Sequence, residues 1–316
     1  MTRSDLNAAM ELVHEFMPPT PQYIWPLLSL ALGCEVWVKH ENQTRLGAFK
    51  LRGGIVYLDH LRREHPDLRG IVAATRGNHG QSLAFAGRQF GFHAVIVAPH
   101  GNSEEKNAAM RALSAELIIT GNDFQESLEA AERIAQERGL YMVPSFDPLL
   151  VRGVATYAAE MFEAMPAPDA VYVPIGMGSG CCGVMAAREA LGVKTSVVGV
   201  VAAAAPAYAR SLHEKRLIEA PVSTRIADGM ACRRPDRRAL DAMTRSLDRV
   251  VEVTDDEIEA GMRLYFTATH NVAEGAGAAA LAAAMQERSR LAGKRVALIL
   301  SGGNVDRAQF ARVLSA

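Results

Sequence analysis

Ala170-Val171-Tyr172-Val173-Pro174, running on through Ile175 into Gly176-Met177-Gly178-Ser179-Gly180-Cys181-Cys182-Gly183, is where the fold becomes readable. Ala170–Pro174 is an apolar run without alternation, as expected of a strand covered on both faces in a parallel sheet. Glycines at 176, 178 and 180 free the backbone to wrap an anion such as a phosphate. The residues beyond predict a helix over Gly183–Leu191. Gly178–Gly183 also matches the dinucleotide fingerprint G-x-G-x-x-G, which needs an acidic residue about 20 positions on, closing the next strand. That strand ends Val200-Val201-Ala202-Ala203, with no carboxylate. A phosphate cradle without a ribose partner fits better, and Ser179 can add a hydroxyl donor.

The same alternation recurs on either side. Strands are expected at Glu35–Lys39, Ile71–Ala74, Ala94–Ala98, Glu116–Thr120, Tyr141–Val143, Ser196–Val201 and Val296–Leu300. Helices are expected at Gly80–Phe90, Asn102–Leu113, Phe124–Arg138 and Arg152–Ala164. Strand–helix alternation of this kind reads as α/β, with open twisted parallel sheets flanked by helices and sites at strand C-termini. The length, 316 residues, suits two domains. No linker separates two halves, so the chain is expected to pass between domains more than once.

Composition narrows the partners. Basic and acidic residues number 34 and 35, and aromatics are 6%, which argues against a nucleic-acid partner. The N-terminus carries Asp5 and Glu11 and no apolar core, so it does not read as a signal peptide. The longest apolar stretch, Val197 to Ala209, is interrupted by Pro206 and too short to span a bilayer. Cys34, Cys181, Cys182 and Cys232 lack zinc spacing and are too few for a disulfide scaffold. A soluble cytoplasmic globular protein is the expectation.

Three further segments sit where strands end. Gly47-Ala48-Phe49-Lys50-Leu51-Arg52-Gly53-Gly54 puts a lysine between two apolar residues at the start of a helical run. Desolvation there lowers the lysine pKa and favours the neutral amine; the alternative is a side chain that snorkels to solvent. Only six basic residues are lysines; Lys106 follows two glutamates and reads as solvated, and Lys39 is the one rival. Thr75-Arg76-Gly77-Asn78-His79-Gly80-Gln81 joins a strand to a helix, an anion site suited to a carboxylate, or equally a capping turn with Asn78 as the cap. Ser301-Gly302-Gly303-Asn304 follows the last strand and gains interest from its company.

In this order, the four segments resemble the fold type II pyridoxal-phosphate enzymes, specifically the serine/threonine dehydratase (threonine ammonia-lyase) and serine racemase group. The resemblance runs from about Pro19 to Asp306 and includes Ile226-Ala227-Asp228-Gly229 and Ala273-Glu274-Gly275-Ala276-Gly277-Ala278. It implies a tryptophan synthase β-like α/β fold of two domains. Residues 1–45 and 146–316 would form a large cofactor-binding domain, and 46–145 a small domain with the lysine and the substrate-carboxylate loop. It implies pyridoxal 5'-phosphate as cofactor, with Lys50 forming the Schiff base and Phe49 beside the ring. Asn78 would bond the ring hydroxyl, Gly176, Met177, Gly178, Ser179 and Gly180 the phosphate, and Ser301 the pyridine nitrogen. Thr75, Arg76, Gly77, Asn78 and His79 would hold the substrate carboxylate. Glu274 and Asn304 are further candidates near the cofactor. The implied reaction is β-elimination from a β-hydroxy amino acid such as threonine or serine, giving a 2-oxo acid and ammonia. Lys50 takes the α-proton, and a serine hydroxyl, unlike a carboxylate, leaves the pyridine nitrogen unprotonated and favours expulsion of a β-leaving group. A homodimer is the family expectation.

Departures from the family pattern sharpen this. Arg76 stands where racemases carry a serine acid/base, so racemisation is not expected. Its charge either recruits a second anionic group, as in 3-hydroxyaspartate, or is spent on a salt bridge elsewhere. Val201-Ala202-Ala203-Ala204-Ala205 replaces the carboxylate ligands of a divalent ion, so no metal is expected there. Little chain follows Ser301, so no C-terminal regulatory domain is expected. The runner-up is a β-replacement synthase of the same fold. Such enzymes carry Asp-Arg after the lysine and Thr-Gly in the carboxylate loop, where this chain has Leu51-Arg52 and His79-Gly80. A nicotinamide dehydrogenase lacks its ribose acid, and a non-catalytic binding protein would need neither Lys50 nor Ser301.

Overall fold

Val36 and Val38, with the wholly buried runs Ile71–Ala74, Ala170–Pro174 and Val296–Leu300, are the residues that make strands here, because both of their faces are covered. The computed structural model describes all 316 residues, and the chain falls into two compact units. One comprises residues 1–49 and 154–316, the other residues 50–153. The crossings fall later than 45 and 145. Residues up to Phe49 stay with the first unit because Ala48 bridges Gly302 and the Phe49 N–H donates to the Ser301 carbonyl at 3.1 Å.

In chain order the strands are β1 (Gln22–Ile24), β2 (Glu35–His40), β3 (Gly70–Ala74), β4 (His93–Ala98), β5 (Glu116–Ile119), β6 (Tyr141–Met142), β7 (Ala170–Pro174), β8 (Ser196–Ala202), β9 (Arg249–Val253) and β10 (Arg295–Leu300). The first unit holds a six-stranded sheet, β1-β2-β10-β7-β8-β9, parallel except for β1, which runs antiparallel to β2. The second holds a parallel four-stranded sheet, β5-β4-β3-β6. Every strand expected from sequence is present, most with an end shifted by a residue or two. β1 and β9 were not expected: β1 is three residues beside prolines, and β9 is an edge strand whose burial is incomplete.

Helices cover both sheets. Gly275–Gln286 is alanine-rich and buried along nearly its whole length, and its small side chains let it lie close to the six-stranded sheet. Lys50–Glu64 and Asn78–Phe90 pack together in the second unit, where a Cβ built on Gly54 would fall 2.2 Å from Ser82 Oγ. Four helices differ at their starts from expectation. Asn78–Phe90 and Ser179–Leu191 begin inside the polar turns, Pro148–Ala164 begins at its proline, and Glu104–Ala112 begins after Ser103, which caps it. No helix is long and apolar enough to cross a membrane.

Candidate active site

In the first unit the site is built at the C-terminal ends of β10 and β7. Beyond β10 the chain segment 46–49 is stitched to the turn at 301–304. Gly303 N–H donates to the Gly47 carbonyl at 2.8 Å, and Asn304 Nδ2 to the Leu46 carbonyl at 2.7 Å. Asn304 therefore positions this segment, packing against Gly47, which has φ +67°. Glu274 is buried beside it, its N–H donating to the Gly302 carbonyl at 3.1 Å. Ser301 is 4% exposed, yet its hydroxyl has no hydrogen-bond partner in the protein. That hydroxyl is open to a ligand's donor or acceptor.

Beyond β7 the glycine turn closes tightly. A Cβ on Gly176 would meet the Gly229 carbonyl at 2.2 Å, which explains the glycine and brings the Ile226–Gly229 motif to the same place. Gly178 has φ +101° and precedes the helix Ser179–Leu191, which has no side-chain cap. Its first-turn amides and dipole make an anion site. The Tyr208 hydroxyl donates to the Met177 carbonyl at 2.9 Å and steadies the turn. The Phe49 ring lies against Gly180 and meets Tyr157 edge-on, centroids 6.1 Å apart, while Tyr157 donates to the Gly180 carbonyl at 3.2 Å. Cys181, Cys182 and Cys232 are buried with thiol pKa values pushed up, chiefly by burial, so they are packing groups and not nucleophiles.

In the second unit, Lys50 opens the helix Lys50–Glu64, and its carbonyl accepts from Ser82 Oγ at 2.6 Å. Burial pulls its ammonium down to about 8. Beyond β3, the Thr75 N–H donates to the Val97 carbonyl at 3.0 Å and the Thr75 hydroxyl accepts from Gly77 N–H at 3.1 Å. Gly77, and not Asn78, is the helix cap; Asn78 is the first helical residue, and no side chain caps the turn. The glycine is required because Lys106 methylenes occupy the space of its missing Cβ, 2.6 Å away. Lys106 is thus buried, contrary to the solvated reading drawn from its two glutamate neighbours. His79 is held neutral, its pKa lowered to about 3 by burial and by the Lys50 charge. One ring nitrogen bonds the Pro144 carbonyl, and Nε2 is buried with no partner. Arg76, half-buried between Thr75 and Gly77, makes no hydrogen bond or ion pair with the chain, so the salt-bridge reading of it does not hold.

Lys39, the rival amine, is also resolved. It is 2% exposed and donates to Glu160 Oε2 at 2.7 Å and to the Thr20 carbonyl at 3.0 Å. An amine saturated in that way is structural.

Residues 14–302 match the family described as pyridoxal-phosphate dependent enzymes. The chain is 33% identical over 316 residues to an L-threonine ammonia-lyase of Thermotoga maritima, covering 100% of this chain and 78% of that one. It is 34% identical over 277 residues to an L-threonine ammonia-lyase of Geobacter sulfurreducens, covering 87% and 68%. The structure superimposes on the processed form of threonine deaminase isoform 2 from Solanum lycopersicum with a TM-score of 0.91 and 28% identity, covering 99% and 92%.

Proposed function

The chain belongs to the pyridoxal-phosphate dependent enzymes, and from that membership we propose that it is an ammonia-lyase acting on a β-hydroxy amino acid, threonine or serine in the first instance. Its relatives' activities support the substrate class. The observation that carries the reading is the Lys50 amine, desolvated at the start of its helix with its pKa pulled down to about 8.

The residues fit the cofactor. Lys50 would hold it through the amine, Gly176–Gly180 and the uncapped helix start would take the phosphate, and Phe49 would face the ring. The Ser301 hydroxyl, which has no protein partner, suits the pyridine nitrogen, and Asn78 the ring hydroxyl. When bound, pyridoxal phosphate supplies an electron-withdrawing ring that makes the α-proton of a bound amino acid acidic. The chain does the rest. Lys50 Nζ, poised as a neutral amine near pH 8, takes the α-proton; the amides at 77–79 orient the α-carboxylate and line up the Cα–H bond. His79 stays neutral and adds no competing charge. The β-hydroxyl leaves as water, and hydrolysis releases ammonia and the 2-oxo acid. The Ser301 hydroxyl would not keep the pyridine nitrogen protonated as a carboxylate would, which favours expulsion of the β-hydroxyl.

The small domain is read as 46–145 carried between 1–45 and 146–316, with the observed crossings placed later. We read the protein as a cytoplasmic homodimer. Four unpaired, buried cysteines suit a reducing compartment, and Tyr23, Ile24, Leu27 and Leu30 are exposed together around β1.

The test is 2-oxo acid release by the cofactor-loaded protein over L- and D-serine, L-threonine and 3-phenylserine, with Lys50→Ala as control. Release by the wild type, and loss of both turnover and cofactor colour in the variant, are expected. A coloured and active Lys50→Ala protein would sink the assignment.

A further inference from the structure

We infer that Arg76 reads a second carboxylate on the substrate, so that the preferred substrate is an acidic β-hydroxy amino acid, 3-hydroxyaspartate. The inference rests on the dehydratase reading and narrows its substrate.

Arg76 is flanked by two anchored residues. Thr75 is tied at its N–H to the Val97 carbonyl and at its hydroxyl to Gly77 N–H, and Gly77 is locked by the Lys106 side chain. The loop is therefore held without the guanidinium. The residue is half-buried, and its fork of five donors meets no carboxylate or carbonyl of the chain. A guanidinium kept there is one whose partner arrives with the ligand, and its planar fork matches a carboxylate.

The loop also has more positive donors than one α-carboxylate can use. The uncapped start of Asn78–Phe90 already offers its amides to that group. What remains for Arg76 is an anion attached elsewhere. Elimination of water fixes a hydroxyl on the β-carbon, so the added group is the β-carbon's remaining substituent. A phosphate ester would put the charge on the leaving oxygen itself and displace the hydroxyl; a carboxylate leaves it free. The Cα–H and Cβ–O bonds of 3-hydroxyaspartate break, water leaves, and water then re-enters as the C–N bond breaks. Oxaloacetate and ammonia result, with no oxidant needed.

The experiment compares kcat/KM for 3-hydroxyaspartate isomers and L-serine in the wild-type holoenzyme, Arg76→Gln and Arg76→Lys. The wild type should favour a 3-hydroxyaspartate isomer over serine by at least about 10-fold. Arg76→Gln should cut that preference by about 10- to 100-fold, the scale of one charge-assisted bidentate pair, mainly through KM. Arg76→Lys should fall between, keeping the charge without the fork. Calorimetric titration with L-aspartate and L-alanine, which carry no β-leaving group, gives a reading independent of turnover. Aspartate should bind more tightly to the wild type, and Arg76→Gln should erase the difference. If serine or threonine is turned over while Arg76→Gln leaves selectivity and aspartate affinity unchanged, this inference falls and the dehydratase stands. No release from any β-hydroxy amino acid takes both down.

Discussion

Lys39, Lys50 and Lys106 all leave water on folding, and for the first two the groups that meet each one decide its chemistry. Lys39 finds a carboxylate and a carbonyl and is fixed by both. Lys50 is desolvated, and its pKa drops to about 8. The amine is neutral above that pH, where a solvated lysine stays protonated to about 10.4. In cofactor-free protein, acylation of Lys50 followed by peptide mapping should therefore rise through about pH 8, well before the exposed lysines react. A midpoint near 10 would show that the amine is solvated. Apolar neighbours made Lys50 legible in the sequence. Lys106 was misjudged because adjacent glutamates reveal nothing of a distant glycine whose missing side chain makes room for it. The partner that Arg76 lacks was likewise beyond local reading, since a salt bridge depends on which carboxylates the fold brings near.

At the scale of elements, the apolar runs of the central strands were legible because parallel strands are buried on both faces. β1 and β9 escaped because edge strands need only one covered face and one pairing partner, a condition set by the sheet. Helix starts slid into the glycine turns for a related reason: the first turn is stabilised by what its free amides will bind, which propensity does not record. The pairing of Lys50–Glu64 with Asn78–Phe90 depends on Gly54 facing Ser82, whose Oγ also bonds the Lys50 carbonyl. Gly54→Ala should cost about 1–3 kcal/mol by overpacking, despite alanine's better helix propensity. Urea denaturation checks this, and a stabilised variant would mean that the helices part freely.

At the scale of the whole molecule, distant stretches of chain are joined by a buried polar network in the first unit. Glu160 accepts from Lys39 and bonds His14 Nε2 at 2.9 Å, while Thr20 donates to Glu41 at 2.5 Å. The N-terminal helix Arg3–Phe16 is thereby tied to β2 and to Pro148–Ala164. Lys39→Met should destabilise by about 3–5 kcal/mol, because it leaves the Glu160 carboxylate buried without its amine. Denaturation by urea at pH 7 measures it, and a loss under about 1 kcal/mol would show the pair to be dispensable. Apolar runs and glycine turns, all of them local in the chain, determined the α/β class and the cofactor family, and they nominated Lys50, Gly176–Gly180 and Ser301 as a set. Only the tertiary structure decided that Lys39 is spoken for, that the Ser301 hydroxyl and Arg76 are not, and that Asn304 serves the loop at Gly47. Those outcomes depend on which buried groups find partners, and partners are supplied by residues far apart in sequence.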